Sequence, residues 1–542
     1  MPARATMMDF PLTLDHLLDR AAKIFPRVEL VSQLPDKSKR RHGYADLRRR
    51  ARGLAKGLIA GGLRPGDRVA TLMWNHHAHL EAYFGIPLAG GVYHTLNLRL
   101  SPSDLGWISR HAEDRFVIVD DVLLGLLASF REQAPFEKVF VVRLTDAPLP
   151  EGVIDYESLL IEDEGWVAPK LAEGDAAGMC YTSGTTGRPK GVVYSHRSLV
   201  LHSFASAMRD TFELSQRDTL VPMVPMFHAN CWGLPFTATL VGAKQVFPGP
   251  HLDPVSLLDL YASEGATVSA GVPTVWLGIQ QQLEQNPGRW ALDPHIRMIV
   301  GGSAAPESLI RAMDRLDLRV IHAWGMTETT PLGTVAQLKS TMRDADVDER
   351  YRVRATQGVP VPFVDVRAIS ETGEVAWDGK TMGELQVRGP WVAADYHRGP
   401  GDDDDWTDKW SADGWFRTGD VVTIDPEGYV KICDRTKDLI KSGGEWISSI
   451  DLENALMGHP AVREAAVIAY PHEKWVERPL AVVVLSPDAS VSDDELCAHL
   501  ESKGFAKWWL PDGYVRRDAI PRNSTGKFLK AQLRDELSGW KP

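Results

Sequence analysis

Apolar runs of strand length alternate with helix-like stretches along most of this chain, and that alternation admits few solutions other than layered α/β architecture with largely parallel sheets. Arg68 to Trp74 (RVATLMW) reads as a strand, and so does Met298 to Val300, which precedes a glycine turn and a helix opening at Pro306 (PESLIRAMDRL). At 542 residues the chain exceeds what one hydrophobic core supports, so at least two domains are expected. A composition of 44% hydrophobic and 24% charged residues excludes wholesale disorder. Its 60 basic and 72 acidic side chains give a net charge of −12 and no basic face for a phosphate backbone, so no nucleic-acid partner is expected. The four cysteines, Cys180, Cys231, Cys433 and Cys497, lie far apart, suggest neither a zinc site nor disulfides, and fit a reducing cytoplasm. Neither a signal peptide nor an integral membrane segment is expected, because no uninterrupted run of apolar residues is long enough.

Near residue 400 the alternation stops. HRGPGDDDDWTDKWSADGW is rich in Gly, Asp and Trp without an apolar period, which predicts a surface loop with a solvated tetra-aspartate. Strand-like GYVKICDR, AVREAAVIAYP and LAVVVLSP follow, separated by helical patterns, as in a small α+β domain. The expected division is therefore 1–433 and 434–542, with the junction near Asp434.

The most informative stretch is Tyr181 to Gly191, YTSGTTGRPKG, where glycines and hydroxyls interleave behind a strand and end in a lysine. Glycines let backbone N–H groups turn toward an anion, hydroxyls donate further bonds and Lys190 adds positive charge, so the loop suits a polyphosphate. It is not a Walker A loop, because Pro189 precedes Lys190 and Gly191 follows it. HAWGMTETTP, from His322 to Pro331, offers Trp324 as an aromatic plate, Gly325 for close approach and Glu328 as a hard oxygen ligand for magnesium. RTGD ends in Asp420, a carboxylate suited to a ribose diol, and Asp434-Arg435 adds a charged pair. The histidines of NHHAH (His76, His77 and His79) lack accompanying carboxylates or cysteines and are read as structural.

YTSGTTGRPKG, GMTET, GWFRTGD, DRTKDLIKSGGEWIS and PRNSTGK occur in the order found in adenylate-forming enzymes, and over almost the whole length the chain resembles that superfamily of acyl-CoA synthetases, luciferases and peptide-synthetase adenylation domains. MVPMFHANCWGLPF, GAKQVFPGP and AGVPTVW look most like bacterial fatty-acyl-CoA synthetases. The resemblance implies a large N-terminal domain, with two β-sheet subdomains flanked by helices and a distorted β-barrel, and a small mobile α+β C-terminal domain. It implies ATP, magnesium and coenzyme A as co-substrates and cofactor, a small-molecule carboxylic acid as substrate, and a homodimer. Thr182 and Glu328 would hold magnesium. Ser183, Gly184, Thr185, Thr186, Gly187 and Lys190 would hold phosphates. Gly302, Ser303, Ala304, Trp324, Gly325, Met326 and Thr327 would bind the nucleoside, with Asp420 and Arg435 at the ribose. Many relatives have tyrosine where this chain has Trp324, so only the stacking role carries over. Lys527 matches the lysine that bridges the carboxylate and the α-phosphate. Lys437 matches the hinge, and Lys441, Gly443, Gly444 and Glu445 would line the thiol path, with Lys441 assisting the second half-reaction only.

By the same resemblance the acyl pocket is formed by His228, Trp232, Val272, Pro273, Gly302 and Gly325. Trp232 either caps a short pocket or gates a long one, and His228 either orients the carboxylate or completes a buried hydrogen bond. The expected activity is an acid:CoA ligase for a medium- or long-chain fatty acid. A ligase for a short thioether, branched or aryl acid, and an enzyme loading a carrier protein, are the alternatives.

Overall fold

A computed structural model describes residues 5–162, 165–182, 188–402, 405–443, 445–522 and 527–541. Its largest sheet has nine strands. Five of them, Lys244–Phe247, Thr219–Pro222, Val268–Gly271, Arg297–Val300 and Arg319–Gly325, lie side by side and parallel, so their carboxyl ends share one edge. Antiparallel pairs finish both sides, Leu332–Val335 against Arg319–Gly325 and Lys39–Gly43 against Glu29–Gln33. The second sheet has seven strands and is parallel except for Gly191–Ser195, which folds back on Ala176–Tyr181. The candidate phosphate loop joins those two strands.

Period-2 alternation distributes these strands between cores. Leu220 and Ile299 face a core shared with the second sheet, whereas Val221, Met298 and Val300 face a separate cluster with Leu257, Trp276 and Leu309. Val69 joins the shared core, and Ala70 and Leu72 point to the opposite face. Between the two sheets lies the helix His77–Leu88, buried at every position and mostly apolar, with Glu81 its one acidic side chain. At its histidine-rich start His76 meets Asp120 at 2.7 Å, His77 Nδ1 meets Ser32 at 3.3 Å and His79 meets Thr71 at 3.0 Å, while His77 Nε2 is buried without a hydrogen-bond partner.

The expected barrel corresponds to a five-stranded antiparallel sheet whose last strand, Val430–Arg435, pairs Arg435 with Asp420 of Phe416–Ile424. The last sheet is built on the long hairpin of Val462–His472 and Val476–Leu485, with short strands Ile440–Ser442, Glu445–Ile447 and Tyr514–Arg516 beside it. Two apolar clusters cover its faces.

Three sequence expectations need correction. The strand at Arg68 ends at Leu72, because the Trp74 N–H leaves the ladder to donate to Asp120. The tetra-aspartate is not wholly solvated: Asp402 is one-tenth exposed and pairs with His111. The helix expected at Pro306 begins one residue later, with Pro306 as its cap. All four cysteines are free thiols. Among the described residues, no helix is long and apolar enough to cross a membrane.

The layer between the sheets also contains a buried ion pair. Arg50 bonds Glu81 at 2.7 Å and Glu157 at 2.8 Å, and the Tyr156 hydroxyl donates to Glu81. In Arg50→Met the Glu81 carboxylate stays enclosed with only the tyrosine, an expected cost of about 3–5 kcal/mol. A lower urea unfolding midpoint at neutral pH is the corresponding observation.

Candidate active site

A cavity of about 470 Å³ opens where the carboxyl ends of the nine-stranded sheet meet the five-stranded sheet and the segment around Lys527. Ligands of open α/β sheets bind at such edges, where loops diverge from the ends of parallel strands. Thr182, Lys190, His228, Trp232, Pro273, Gly302, Ser303, Ala304, Trp324, Gly325, Met326, Thr327, Glu328, Asp420, Arg435, Lys437 and Lys527 all line it. Val272 stands just behind, 3.2 Å from where a Gly302 side chain would begin. Ser183, Gly184, Thr185, Thr186, Gly187 and Gly444 lie outside the described residues, as does the side chain of Glu445.

Lys441 and Gly443 are not brought to the cavity. They lie on the Ile440–Ser442 hairpin, where the Lys441 N–H donates to Glu477 and its ammonium sits 4.3 Å over the Trp446 ring. The Gly443 N–H donates to the Trp475 carbonyl.

Backbone demands explain two of the glycines. A side chain on Gly325 would fall 1.9 Å from the Pro331 carbonyl oxygen, and Gly302 has φ +82°. Between Gly325 and Pro331 the chain forms a tight turn, Thr327–Thr329, which presents Glu328. The Tyr194 hydroxyl donates to the Thr327 carbonyl at 2.9 Å, and the Ala393 N–H to the Glu328 carbonyl at 2.7 Å.

Asp420 is buried, and both its oxygens are engaged. The Trp324 indole N–H donates to Oδ2 at 2.9 Å, and Arg435 Nε meets Oδ1 at 2.7 Å. Tryptophan at this position therefore offers more than a ring face: its N–H reaches the carboxylate that the sequence reading reserved for the ribose. The ring packs against Gly333, where an added Cβ would lie 2.4 Å from it.

Lys527 faces this charged group. Burial pushes its ammonium down to about 8, the neighbouring Arg435 charge adds to the effect, and Asp420 and Glu328 oppose it. Burial likewise pushes the His228 imidazole down to about 4, with Lys527 and Arg99 contributing, so this ring is neutral at pH 7. His228 opens a left-handed turn in which Ala229, Asn230, Cys231 and Trp232 have φ between 44° and 56°. Each such residue costs roughly 1–2 kcal/mol. Hydrogen bonds from Cys231 to the Val224 carbonyl and from Cys180 to Asn230 hold the turn, and Trp232 comes to rest against Gly301.

The donor set fits a magnesium ion shared with a substrate. Glu328 accepts from the Tyr396 hydroxyl through Oε1, and Thr182 Oγ1 accepts from the Lys190 N–H at 3.0 Å. One carboxylate and one hydroxyl are hard ligands that leave most positions to phosphate oxygens and water, as magnesium prefers. Among the described residues no three metal-type side chains cluster into a protein-only cage.

Several residues of the wall and beside it were missed by the sequence reading. Tyr396 touches Glu328, Trp406 touches Lys190, and Phe212, Thr274 and Leu277 extend the wall beyond Trp232 and Pro273. Three residues past Lys527, Lys530 makes a 2.7 Å pair with Glu453, whose carboxyl burial pushes up to about 7. That pair ties the segment carrying Lys527 to the helix Ser449–Met457. A predictable consequence concerns the lysine itself. Competitive amine acetylation followed by peptide mass spectrometry should give Lys527 a titration midpoint near pH 8 rather than the usual lysine value, and Asp420→Asn, which removes an opposing negative charge, should move it lower.

With the geometry described, comparison with known proteins places it in context. The AMP-binding enzyme family matches residues 18–397, and the AMP-binding enzyme C-terminal domain matches residues 451–527. A long-chain-fatty-acid–CoA ligase of Thermus thermophilus is 50% identical over 537 residues, covering 99% of this chain and 97% of the relative. A medium-chain-fatty-acid–CoA ligase of Ectopseudomonas oleovorans is 44% identical, covering 98% and 97%. In fold the chain is similar to the crystal structure of the anthranilate CoA ligase AuaEII in complex with anthranoyl-AMP, with a TM-score of 0.84 over 97% of this chain and 98% of that one at 22% identity.

Proposed function

Because this chain belongs to the AMP-binding enzyme family, we propose that it is an ATP-, magnesium- and CoA-dependent acid:CoA ligase that activates a medium- or long-chain fatty acid. The observation that carries the reading is the position of Lys527, held inside the cavity with Glu328, Asp420 and Arg435 around it. Full-length similarity to two fatty-acid–CoA ligases supports the choice of acid. The four free thiols suit a cytoplasmic setting.

In the first half-reaction a carboxylate oxygen of the acid bonds to the α-phosphorus of ATP, the bond from that phosphorus to the bridging oxygen breaks, and pyrophosphate leaves. Two anions must meet, so the barrier is largely electrostatic. Lys527 sits where its ammonium offsets that repulsion. Thr182 and Glu328 would hold magnesium, which lowers the charge on the phosphates. The two ends of the phosphate loop are joined by the Thr182 N–H to Lys190 carbonyl bond. Asp420 and Arg435 would orient the ribose, and Trp324 the adenine. The neutral His228 ring offers the acid a hydrogen bond rather than a charge.

In the second half-reaction the thiol sulfur of CoA bonds to the acyl carbon, the bond to the AMP oxygen breaks, and AMP leaves with the thiol proton lost to solvent or a base. The hairpin carrying Lys441 lies outside the cavity, so this step needs the part of the C-terminal domain beyond Lys437 to turn about that residue. A few residues at a domain edge commonly absorb such a rotation. The acyl tail would run along Trp232, Pro273, Thr274, Leu277 and Phe212, a wall suited to an apolar chain.

Pyrophosphate release with ATP, magnesium and CoA, measured over saturated acids of two to eighteen carbons beside aryl and methylthio acids, tests the assignment. A CoA-dependent maximum at eight or more carbons is expected. A maximum at short, aryl or thioether acids overturns the choice of acid, and turnover with a carrier protein but not CoA overturns the choice of thiol. Lys527→Ala should slow adenylation by at least about a hundredfold, in line with removal of an oxyanion donor. Lys441→Ala should leave acyl-adenylate formation intact and slow thioester formation. Lys527 must be protonated to act, so kcat/KM should fall as pH rises through about 8.

A further inference from the structure

The described residues of 391–410, of which only those from His397 onward were read from composition as a surface loop, are bonded to both sides of the phosphate site. The Ala393 N–H donates to the Glu328 carbonyl, and the His397 N–H donates to the Gly191 carbonyl at 2.8 Å. The indoles of Trp391 and Trp410 donate to the carbonyls of Leu332 and Ala393, both at 2.9 Å. Farther along, Asp402 meets His111 Nε2 at 3.1 Å, and His111 Nδ1 meets the Tyr181 hydroxyl at 2.6 Å, one residue before Thr182.

At the centre of this segment Tyr396 packs edgewise on Trp406 and Trp410. Its hydroxyl donates to Glu328 Oε1 at 2.6 Å. The Lys190 ammonium lies 3.9 Å from the Trp406 ring centre and 5.1 Å from that of Tyr396. One side chain thus touches both the carboxylate, on the turn Thr327–Thr329, and the lysine, which directly precedes the strand Gly191–Ser195.

We propose that Tyr396 is a positioning residue that fixes the Glu328 carboxylate and the Lys190 ammonium relative to each other, so that magnesium and the ATP phosphates meet a preformed pair. This rests on the reading of Glu328 as a magnesium ligand and Lys190 as a phosphate ligand. A carboxylate with one oxygen committed to a hydroxyl is held in a single orientation, and its binding geometry needs no further ordering when a ligand arrives. An aromatic face attracts an ammonium without adding a negative charge that a phosphate would have to displace. Tyrosine meets both requirements at once: phenylalanine keeps the face and loses the hydroxyl, and leucine loses both.

ATP binding to the full chain, followed by calorimetry while magnesium is varied, separates these contributions without relying on turnover. Tyr396→Phe should raise the magnesium concentration for half-maximal ATP binding by about tenfold. Tyr396→Leu should also weaken ATP binding at saturating magnesium. An unchanged magnesium midpoint in Tyr396→Phe overturns the proposal, provided that Glu328→Gln shifts it. If Glu328→Gln leaves the midpoint where it was, the magnesium role of Glu328 fails first and the proposal falls with it. A lower melting temperature in Tyr396→Phe with no shift in the magnesium midpoint shows a merely structural tyrosine and also overturns it.

Discussion

The buried carboxylate of Asp420 joins the parts of the molecule that must meet for the site to exist. It takes the indole N–H of Trp324 from the nine-stranded sheet and the guanidinium of Arg435 from the end of the five-stranded sheet. A carboxylate so enclosed is costly unless both oxygens are engaged, so the two sheets are held at the one separation that satisfies them. Lys527 then enters a group of alternating charge, with Arg435 on one side and Asp420 and Glu328 on the other. The balance leaves its ammonium easier to deprotonate than an exposed lysine, and the arrival of substrate anions would draw the proton affinity back up. A cation in that state responds strongly to the charge in front of it, which is the property the proposed adenylation step requires.

What could be read from sequence was what local chemistry dictates. Strands showed as apolar runs, and the turn after Val300 and the close approach at Gly325 showed through their glycines. Lys527, Glu328 and Asp420 sit in short motifs, and the structure brings those motifs to one cavity. Tyr396 and Trp406 were not legible in this way, because their partners are distant in sequence and their segment has the composition of a solvated loop. One signal was present: Tyr396, Trp406 and Trp410 lie within fifteen residues, and large rings seldom crowd a segment that packs on nothing. Asp402 was misjudged for the opposite reason, since one acid in a run of four gives no hint that a histidine 291 residues away accepts it. The indole N–H of Trp324 was passed over because only the ring face was considered.

The same contacts bear on how one cavity could serve two half-reactions. Before Lys437 one group of bonds holds the last strand of the five-stranded sheet to the helix Ser449–Met457 and its cap. Lys431 pairs with Asp451 at 2.8 Å, the Ser448 hydroxyl donates to the Cys433 carbonyl, and the Ser449 N–H donates to Asp434 at 2.8 Å. Beyond them Arg534 pairs with Asp438 at 2.7 Å, and Lys530 with Glu453. A turn about Lys437 large enough to bring the Lys441 hairpin to the cavity must exchange the bonds that cross it. The Asp434 bond is the most demanding, because burial already pushes this carboxyl up and loss of its N–H partner would leave it less satisfied still. The Lys530–Glu453 pair lies wholly on the moving side and can travel intact, keeping the Lys527 segment attached to its helix. On this geometry the proposed swivel would separate at the strand–helix seam and carry Lys527 and its anchor as one body. Withdrawal of Lys527 and approach of Lys441 would then be a single motion.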